Sequence, residues 1–324
     1  MQEKCLIIGL GKIGMSYDID LDPTVSIFSH ARAITIHPFF ELVGAVDLSP
    51  KKRSIFKKRY NCPAYDDISK AIRTLCPSVV IIATPTVTHL KILNQVLNHE
   101  KPKVIICEKP LAYDLIEAHQ IVDTCNGKGV DLFVNYPRRS DPGVMEVKRR
   151  INNKEIRLPI KGIAWYSEGF LHNGSHYFNL LEFWLGSFIE FKKINSGHIC
   201  NDIDSDPDVE VTYEGGNVIF MSNREEAFSH FSLDLISQSG RLSYERNSLS
   251  IEWQPVIPDP SFAGYNTLDP SIEIIDDESK KYQWHVFDQL AFYFAGNNNS
   301  LCTGHQALTT LESMHQIIRE NNYD

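Results

Sequence analysis

The sequence predicts an α/β protein in two parts: a doubly wound parallel sheet over residues 1–137, and an α/β domain with a large open, mostly antiparallel sheet over residues 138–324, whose last helix is placed to pack back on the first part. Three observations carry this. Up to about residue 137, short and uniformly apolar runs alternate with amphipathic segments, the rhythm of βαβ units whose strands are covered on both faces. Beyond about residue 140, many strand-like runs alternate apolar with polar residues between Gly, Asn and Ser turns, as an open sheet with one wetter face requires. Three glycines, Gly9, Gly11 and Gly14, directly follow the first apolar run, where a βαβ unit turns from strand to helix.

In chain order, the first-half strands are CLIIGL, ELVGAVD, SVVIIATP, KVIICEKP and DLFVNY. Helical spacing marks KKRSIFKKRYN, VTHLKILNQVLNHE and LIEAHQIVDTCNGKG, the last ending at Gly127 and Gly129 as helix C-termini often do. A helical segment, PGVMEVKRRINN, opens the second half. Strands follow at IKGIAWYSEG, FIEFKKINSGHI, DVEVTYEG, NVIFMSN, FSLDLISQSG, RLSYERN and SLSIEWQP, and two helices close the chain, YQWHVFDQLAFYFAG and HQALTTLESMHQIIREN. No internal repeat or long linker interrupts them.

A chain of 324 residues, 43% of them hydrophobic, exceeds one simple core and can bury two. Its 32 Lys and Arg against 41 Asp and Glu give a net charge of −9. No basic cluster is large enough to follow a phosphate backbone, so nucleic acid is excluded as an expected partner. No run approaches the roughly twenty apolar residues of a membrane span, and MQEKCLIIGLG enters the first strand without a secretory leader. The seven cysteines, Cys5, Cys62, Cys76, Cys107, Cys125, Cys200 and Cys302, are scattered and form no C-x-x-C pair, which fits a reducing cytoplasm.

The glycines of GLGKIG divide the work of a dinucleotide site. Gly9 permits the tight turn, Gly11 lets the backbone approach a pyrophosphate and Gly14 allows close helix packing, with Lys12 and Ile13 between them and a helix N-terminus favouring the anion. Asp47, ending ELVGAVD, is placed to accept hydrogen bonds from adenosine ribose hydroxyls and to repel a 2′-phosphate. NAD is therefore the expected cofactor, with NADP as the alternative if Lys51, Lys52 and Arg53 offset that carboxylate. Asp47 lies 33 positions beyond Gly14, where about twenty is usual. The excess, residues 15–28, reads as an insertion that folds over a ligand or makes a neutral surface excursion, after which Ser29 is placed to cap the helix HARAITIH.

The ends of the later strands supply the remaining candidates, because ligands of an open parallel sheet bind at its C-terminal edge. Thr84, Pro85 and His89 close the strand SVVIIATP and its turn and should line the cofactor cleft. Glu108 and Lys109 end KVIIC, where the ammonium could stabilise negative charge developing on a reacting oxygen. Asn135 and Tyr136 should lie near the reacting end of the dinucleotide. Arg138 and Arg139 either hold an anionic substrate group or pair with an acidic side chain.

In HNGSHYFNLLEFWLG, Tyr177, Leu180, Leu181, Trp184 and Leu185 fall at i, i+3, i+4, i+7 and i+8, so a helix buries that stripe. Asn173, Gly174 and His176 then lie at its N-terminal end. A zinc reading of His172 and His176 lacks the glutamate of H-E-x-x-H and any third ligand, so no metal is expected. Trp165 and Tyr166 suit core packing better than sugar stacking.

Taken in order, IIGLGKIG, VVIIATPTVTH, CEKP, VNYPRR, GSHYFNLLEFWLG and the closing CTGHQALTTLESMHQII resemble the Gfo/Idh/MocA family of oxidoreductases. The resemblance implies a Rossmann domain, a second domain whose open sheet mediates dimer or tetramer contacts, and hydride transfer between NAD(P) and a sugar, polyol or nucleotide sugar. It implies Lys109 and His176 as catalytic residues, His176 exchanging the proton of the substrate hydroxyl, for which an unperturbed pKa of about 6.5 is suited. The family pattern Asp-x-Gly-x-His-x-x-Asp is altered here: His172 and Asn179 occupy the aspartate positions. Either His172 takes over as a proton carrier, or the reaction differs, or the chain has become an NAD- and sugar-binding sensor.

Overall fold

The computed structural model describes residues 2–99, 101–201, 204–223, 228–245, 250–276 and 278–319. Glu100, residues 246–249 and residues 320–321, which end four of the expected segments, lie outside the described residues. The chain divides into two compact units, Met1–Ser140 with Lys280–Thr309, and Asp141–Ser279 with Thr310–Asp324.

In the first unit β1 (Glu3–Ile8), α1 (His30–Ile36), β2 (Phe40–Val46), α2 (Pro50–Tyr60), β3 (Ala64–Tyr65), α3 (Ile68–Leu75), β4 (Val79–Ile82), α4 (His89–Leu97), β5 (Val104–Glu108), α5 (Leu115–Lys128) and β6 (Asp131–Asn135) alternate along the chain. The five strands expected from apolar runs all form, because both faces of each are covered: Leu6, Ile7, Val79, Val80, Ile81, Val104 and Ile105 have no exposed surface. Two short elements, β3 and α3, carry no comparable signal and escape the sequence. Side-chain caps start the helices, Ser49 on α2, Asp67 on α3 and Asp114 on α5, each satisfying a backbone N–H that the first turn leaves without a partner. Gly129, at φ 65°, ends α5, whereas Gly127 lies inside it.

The second unit holds α6 (Pro142–Asn152), β7 (Ile160–Tyr166), α7 (Ser175–Leu185), β8 (Phe188–Asn195), the hairpin β9 (Ile199–Asn201) and β10 (Asp204–Ser205), β11 (Asp208–Tyr213), β12 (Gly216–Ser222), β13 (Ser232–Ser237), β14 (Gly240–Glu245), β15 (Ser250–Pro258), β16 (Asn266–Leu268) and β17 (Glu273–Asp276). Its nine-stranded sheet runs β16-β15-β14-β13-β7-β12-β11-β8 with β17 beside β15. Among its described residues, only β7 and β12 pair in parallel. Phe178 of α7 lies 5.7 Å from Phe220 and 5.6 Å from Tyr213, so the face of α7 that meets the sheet is wider than the five-residue stripe. Tyr166 is fully buried in this core and donates to the Pro207 carbonyl.

The chain then returns to the first unit through α8 (Tyr282–Phe294) and β18 (Cys302–Thr303), and α9 (Gly304–Arg319) straddles the division. The packing back on the first part expected of the last helix thus begins earlier, at α8, because Val286, Phe287 and Leu290 share one apolar cluster with Ile7, Ile34 and Phe40. The first sheet thus runs β18-β6-β5-β4-β1-β2-β3, parallel except for β18, which pairs antiparallel with β6. Among the described residues no helix is long and apolar enough to cross a membrane.

Candidate active site

Strand order places β1 between β2 and β4, and at such a reversal the loops leaving the strand ends part to open a crevice. Gly9 turns the chain there at φ 103°, and a Cβ on it would lie 2.5 Å from the Ala83 carbonyl oxygen. A Cβ on Gly14 would lie 2.0 Å from the Gly9 oxygen, whereas one on Gly11 meets nothing within 4 Å. Two of the glycines are therefore demanded by the protein itself. The third leaves open backbone, as an approaching pyrophosphate needs.

The helix expected behind this loop is instead a single wide turn, Lys12–Ser16, in which Ser16 N–H donates to the Gly11 oxygen at 3.1 Å. The reason is residues 15–28, which separate the turn from α1. Part of this insertion is interior: Met15, Asp18 and Ile27 are buried. Asp18 accepts from Phe28 N, Ser29 N and Ser29 Oγ at 2.7, 2.8 and 2.6 Å, while Arg32 Nη1 donates to the Leu21 and Ser26 carbonyls, both at 3.0 Å. Ser29 caps α1 as expected. The segment is anchored in the interior through Met15, Asp18 and Ile27, while Ser16, Tyr17 and residues 20–25 are exposed.

Asp47 reaches back to the glycine turn, with Oδ2 accepting from Leu10 N at 2.8 Å and Oδ1 from Ser49 N at 2.8 Å. A carboxylate has about four acceptor positions, so these bonds leave capacity for ribose hydroxyls. Of the three following cations, Arg53 is occupied by the Asp47 and Leu48 carbonyls at 2.8 and 2.9 Å. Lys52 Nζ stands 3.7 Å from Asp47 Oδ2, and Lys51 is exposed. The open backbone at Gly11, the clasp at Leu10 and the acid at the end of β2 fit a dinucleotide.

Thr84 is half-buried and Pro85 exposed. His89 is not a cleft residue: it is 1% exposed, with Nδ1 3.0 Å from the Leu111 carbonyl and Nε2 3.0 Å from that of Thr84. Burial lowers its pKa against the pull of both carbonyls, and the ring fastens two loops together. Lys109 is half-buried after β5 and precedes a cis proline. Glu108 and Asn135 end the paired strands β5 and β6 and join through Asn135 Nδ2 to Glu108 Oε1 at 2.8 Å. Tyr136 and Arg139 are buried and Arg138 is half-buried.

In the second unit His172 lies in a wide turn, Phe170–Gly174, and His176 is the second residue of α7; both are half-buried, as is Asn173, which donates to Glu168 Oε2 at 3.0 Å. The turn is built on Asp204, which the sequence analysis missed. Its buried carboxylate accepts from Leu171 N and His172 N, both at 2.9 Å, and a Cβ on Gly169 would lie 2.2 Å from it. Burial raises the pKa of this carboxyl against those backbone donors. Asn179, 1% exposed, donates to Thr310 Oγ1 at 3.0 Å, and that hydroxyl donates to Glu182. The second altered position is therefore an interior tie between α7 and α9. Among the described residues no group of three or more His, Cys, Asp or Glu is arranged to hold a metal ion.

The model of an oxidoreductase family with an NAD-binding Rossmann fold, Gfo/Idh/MocA, matches residues 4–136. Inositol 2-dehydrogenase of Rubrobacter xylanophilus is 28% identical over 138 residues, which span 42% of this chain and only 39% of that enzyme. An NAD-binding oxidoreductase of Klebsiella pneumoniae covers 98% of this chain and 97% of its own at a TM-score of 0.78 and 13% identity. The WlbA dehydrogenase of Bordetella pertussis, solved with NADH and UDP-GlcNAcA, covers 98% and 96% at a TM-score of 0.75 and 16% identity. Likeness at such identities establishes the fold, and it extends over nearly the full chain. Residues 4–136 form a Rossmann domain that matches the NAD-binding domain of Gfo/Idh/MocA oxidoreductases.

Proposed function

We propose that the protein transfers a hydride between NAD and a hydroxyl or keto carbon of a sugar, polyol or nucleotide sugar. Lys109 beside Glu108 at the C-terminal edge of the parallel sheet, following the glycine turn and Asp47, is the observation that carries the reading. Bound NAD supplies the hydride acceptor. Lys109 donates a hydrogen bond to the substrate oxygen, where negative charge develops as the hydride leaves. His176, at the start of α7, takes the hydroxyl proton and returns it in the reverse direction. The substrates of the inositol dehydrogenase relative and the nucleotide sugar held by the WlbA dehydrogenase support this substrate class.

The test is a screen of inositols, sugars and nucleotide sugars with NAD, followed at 340 nm. Lys109→Ala and His176→Ala should each lower kcat by about two to four powers of ten with NAD affinity nearly intact. Near-wild-type turnover in His176→Ala sinks the mechanism. A second reading, an NAD- and sugar-binding sensor, is favoured by the absence of carboxylates at positions 172 and 179, and binding of both ligands without turnover would establish it. The open face of the second sheet, with Ile163 and Ile236 exposed, supports a homodimer or homotetramer; light scattering that gives only the 36.9 kDa monomer would refute that.

A further inference from the structure

Four side chains from four separate segments close a hydrogen-bonded ring at the C-terminal edge of the parallel sheet. Gln283 Nε2 of α8 meets His30 Nδ1 at 2.9 Å, and His30 Nε2, at the start of α1, meets Glu108 Oε1 at 2.7 Å. Asn135 Nδ2 donates to that same oxygen at 2.8 Å and to Gln283 Oε1 at 3.2 Å. His30 and Gln283 have no exposed surface and Asn135 has 3%.

Chemistry fixes the direction of every bond in the ring. An amide N–H faces Nδ1, so His30 accepts there, and a neutral imidazole then carries its proton on Nε2 and donates it to Glu108. Turning over the Gln283 amide would set its oxygen against Nδ1 and its nitrogen against Asn135 Nδ2. Turning over Asn135 would set its oxygen against two acceptors. The one consistent arrangement leaves Asn135 Oδ1 buried without a partner, so the amide is oriented to serve Glu108 at its own expense.

Glu108 Oε1 thus accepts two N–H groups, and Oε2 stands outside the ring on a side chain with 13% of its surface exposed. Around it the titratable neighbours are Lys109, next in the chain, with Cys107, His89 and Tyr282 within reach of its charge. We propose that His30 is a positioning residue: its Nε2–H holds Oε1 of Glu108, the expected cofactor contact, and so leaves Oε2 to accept a hydrogen bond from a ligand hydroxyl. This rests on the dehydrogenase reading and adds to it a buried device, built from His30, Gln283 and Asn135, that orients the Glu108 carboxylate. The hydroxyl belongs either to the nicotinamide ribose or to the polyol, and both would use the same charge-assisted bond.

The variants Glu108→Gln, His30→Leu and His30→Gln separate these sources. Glu108→Gln and His30→Leu should each weaken one ligand constant about tenfold to a hundredfold. His30→Gln, whose amide can donate to Glu108 and accept from Gln283, should recover most of the loss. A weakened NAD dissociation constant with normal KM assigns the hydroxyl to the cofactor ribose, and a raised KM with normal NAD affinity assigns it to the polyol. Independently of turnover, the ¹⁵N spectrum of histidine-labelled wild type should contain an Nε2–H imidazole that disappears in His30→Gln. If no polyol is turned over while that signal is present and Glu108→Gln weakens NAD, the dehydrogenase reading fails and the ring stands. An Nδ1–H tautomer at His30, or ligand constants unchanged in both Glu108→Gln and His30→Leu, overturns the proposal.

Discussion

The glycine turn permits a clean separation of what the fold needs from what the ligand needs. Gly11 sits at φ −77° and ψ −160°, an extended conformation open to alanine, and an added Cβ meets nothing within 4 Å. Gly11→Ala should therefore leave the unfolding free energy unchanged or raise it by up to about 1 kcal/mol, by restricting the unfolded chain. The same methyl would stand where a pyrophosphate comes close to the backbone. Loss of one charge-assisted N–H bond there is worth about 1.5–3 kcal/mol, so the NAD dissociation constant should rise about tenfold to 150-fold. Gly9→Ala behaves oppositely. Its φ of 103° is closed to alanine, and its Cβ would lie 2.5 and 2.7 Å from the Ala83 oxygen and carbon, which are backbone atoms that cannot swing away. A cost of about 3–5 kcal/mol follows, or roughly 6–20 °C in Tm for units of this size. Thermal melts and NAD titrations of both variants give the two readouts. Undiminished NAD affinity in Gly11→Ala would refute the assignment of this backbone to the cofactor, and a large fall in its Tm would refute the open-space argument.

Asp47→Ala should weaken NAD about tenfold or more and erase a wild-type preference for NAD over NADP; titration showing that wild type already prefers NADP would mean that Lys51 and Lys52 dominate. Asn179→Asp restores the acid that the family pattern carries but sets it at a 1% exposed position near Glu182. It should cost about 3 kcal/mol, seen as a Tm lower by roughly 6–12 °C, and a higher Tm would show that the buried amide is not a structural tie. His37 is 4% exposed, with Nε2 3.7 Å from Asp288; burial lowers its pKa from 6.5 while Asp288 opposes the shift. Its folded-state value being depressed, the associated stability is present above pH 6.5 and is lost as pH falls through the folded value. His89 is shifted in the same direction. Tm should therefore decline between about pH 6.5 and 5, less so in His37→Phe, and an identical decline in that variant would remove His37 from the account.

The parts legible in the sequence are those whose physics is local. Runs such as VVII, buried on both faces, announce a parallel strand, and Ser29 before HARAITIH announces a helix start because the cap bonds within three residues. Gly9 and Gly14 could be assigned from spacing because each contact involves the same turn or the adjacent strand. What escaped depends on partners distant in the chain. Nothing around Gln283 marks it as a partner of His30, since the bond spans 253 positions. Asp204 reads as one acid among many until its carboxylate is found beneath the turn at Leu171 and His172. His89 was misplaced for a related reason: a histidine beginning a helix near a strand end looks ligand-facing unless burial and the two carbonyls are known.

The division of the first unit has a consequence for biosynthesis. Its sheet is complete only when β18 pairs with β6, and its core only when Val286, Phe287 and Leu290 arrive, so a ribosome must translate all of 141–279 between the two contributions. At about 5–20 residues per second this takes about 7–30 s, during which the edge of β6 and the apolar surface awaiting α8 are uncovered. An emerging chain of this design presents its most aggregation-prone surface early and for long compared with hairpin formation on the microsecond scale. A fragment cut at the first domain boundary would keep that surface permanently, so it should associate through it, and supplying 280–309 as a separate peptide should suppress the association.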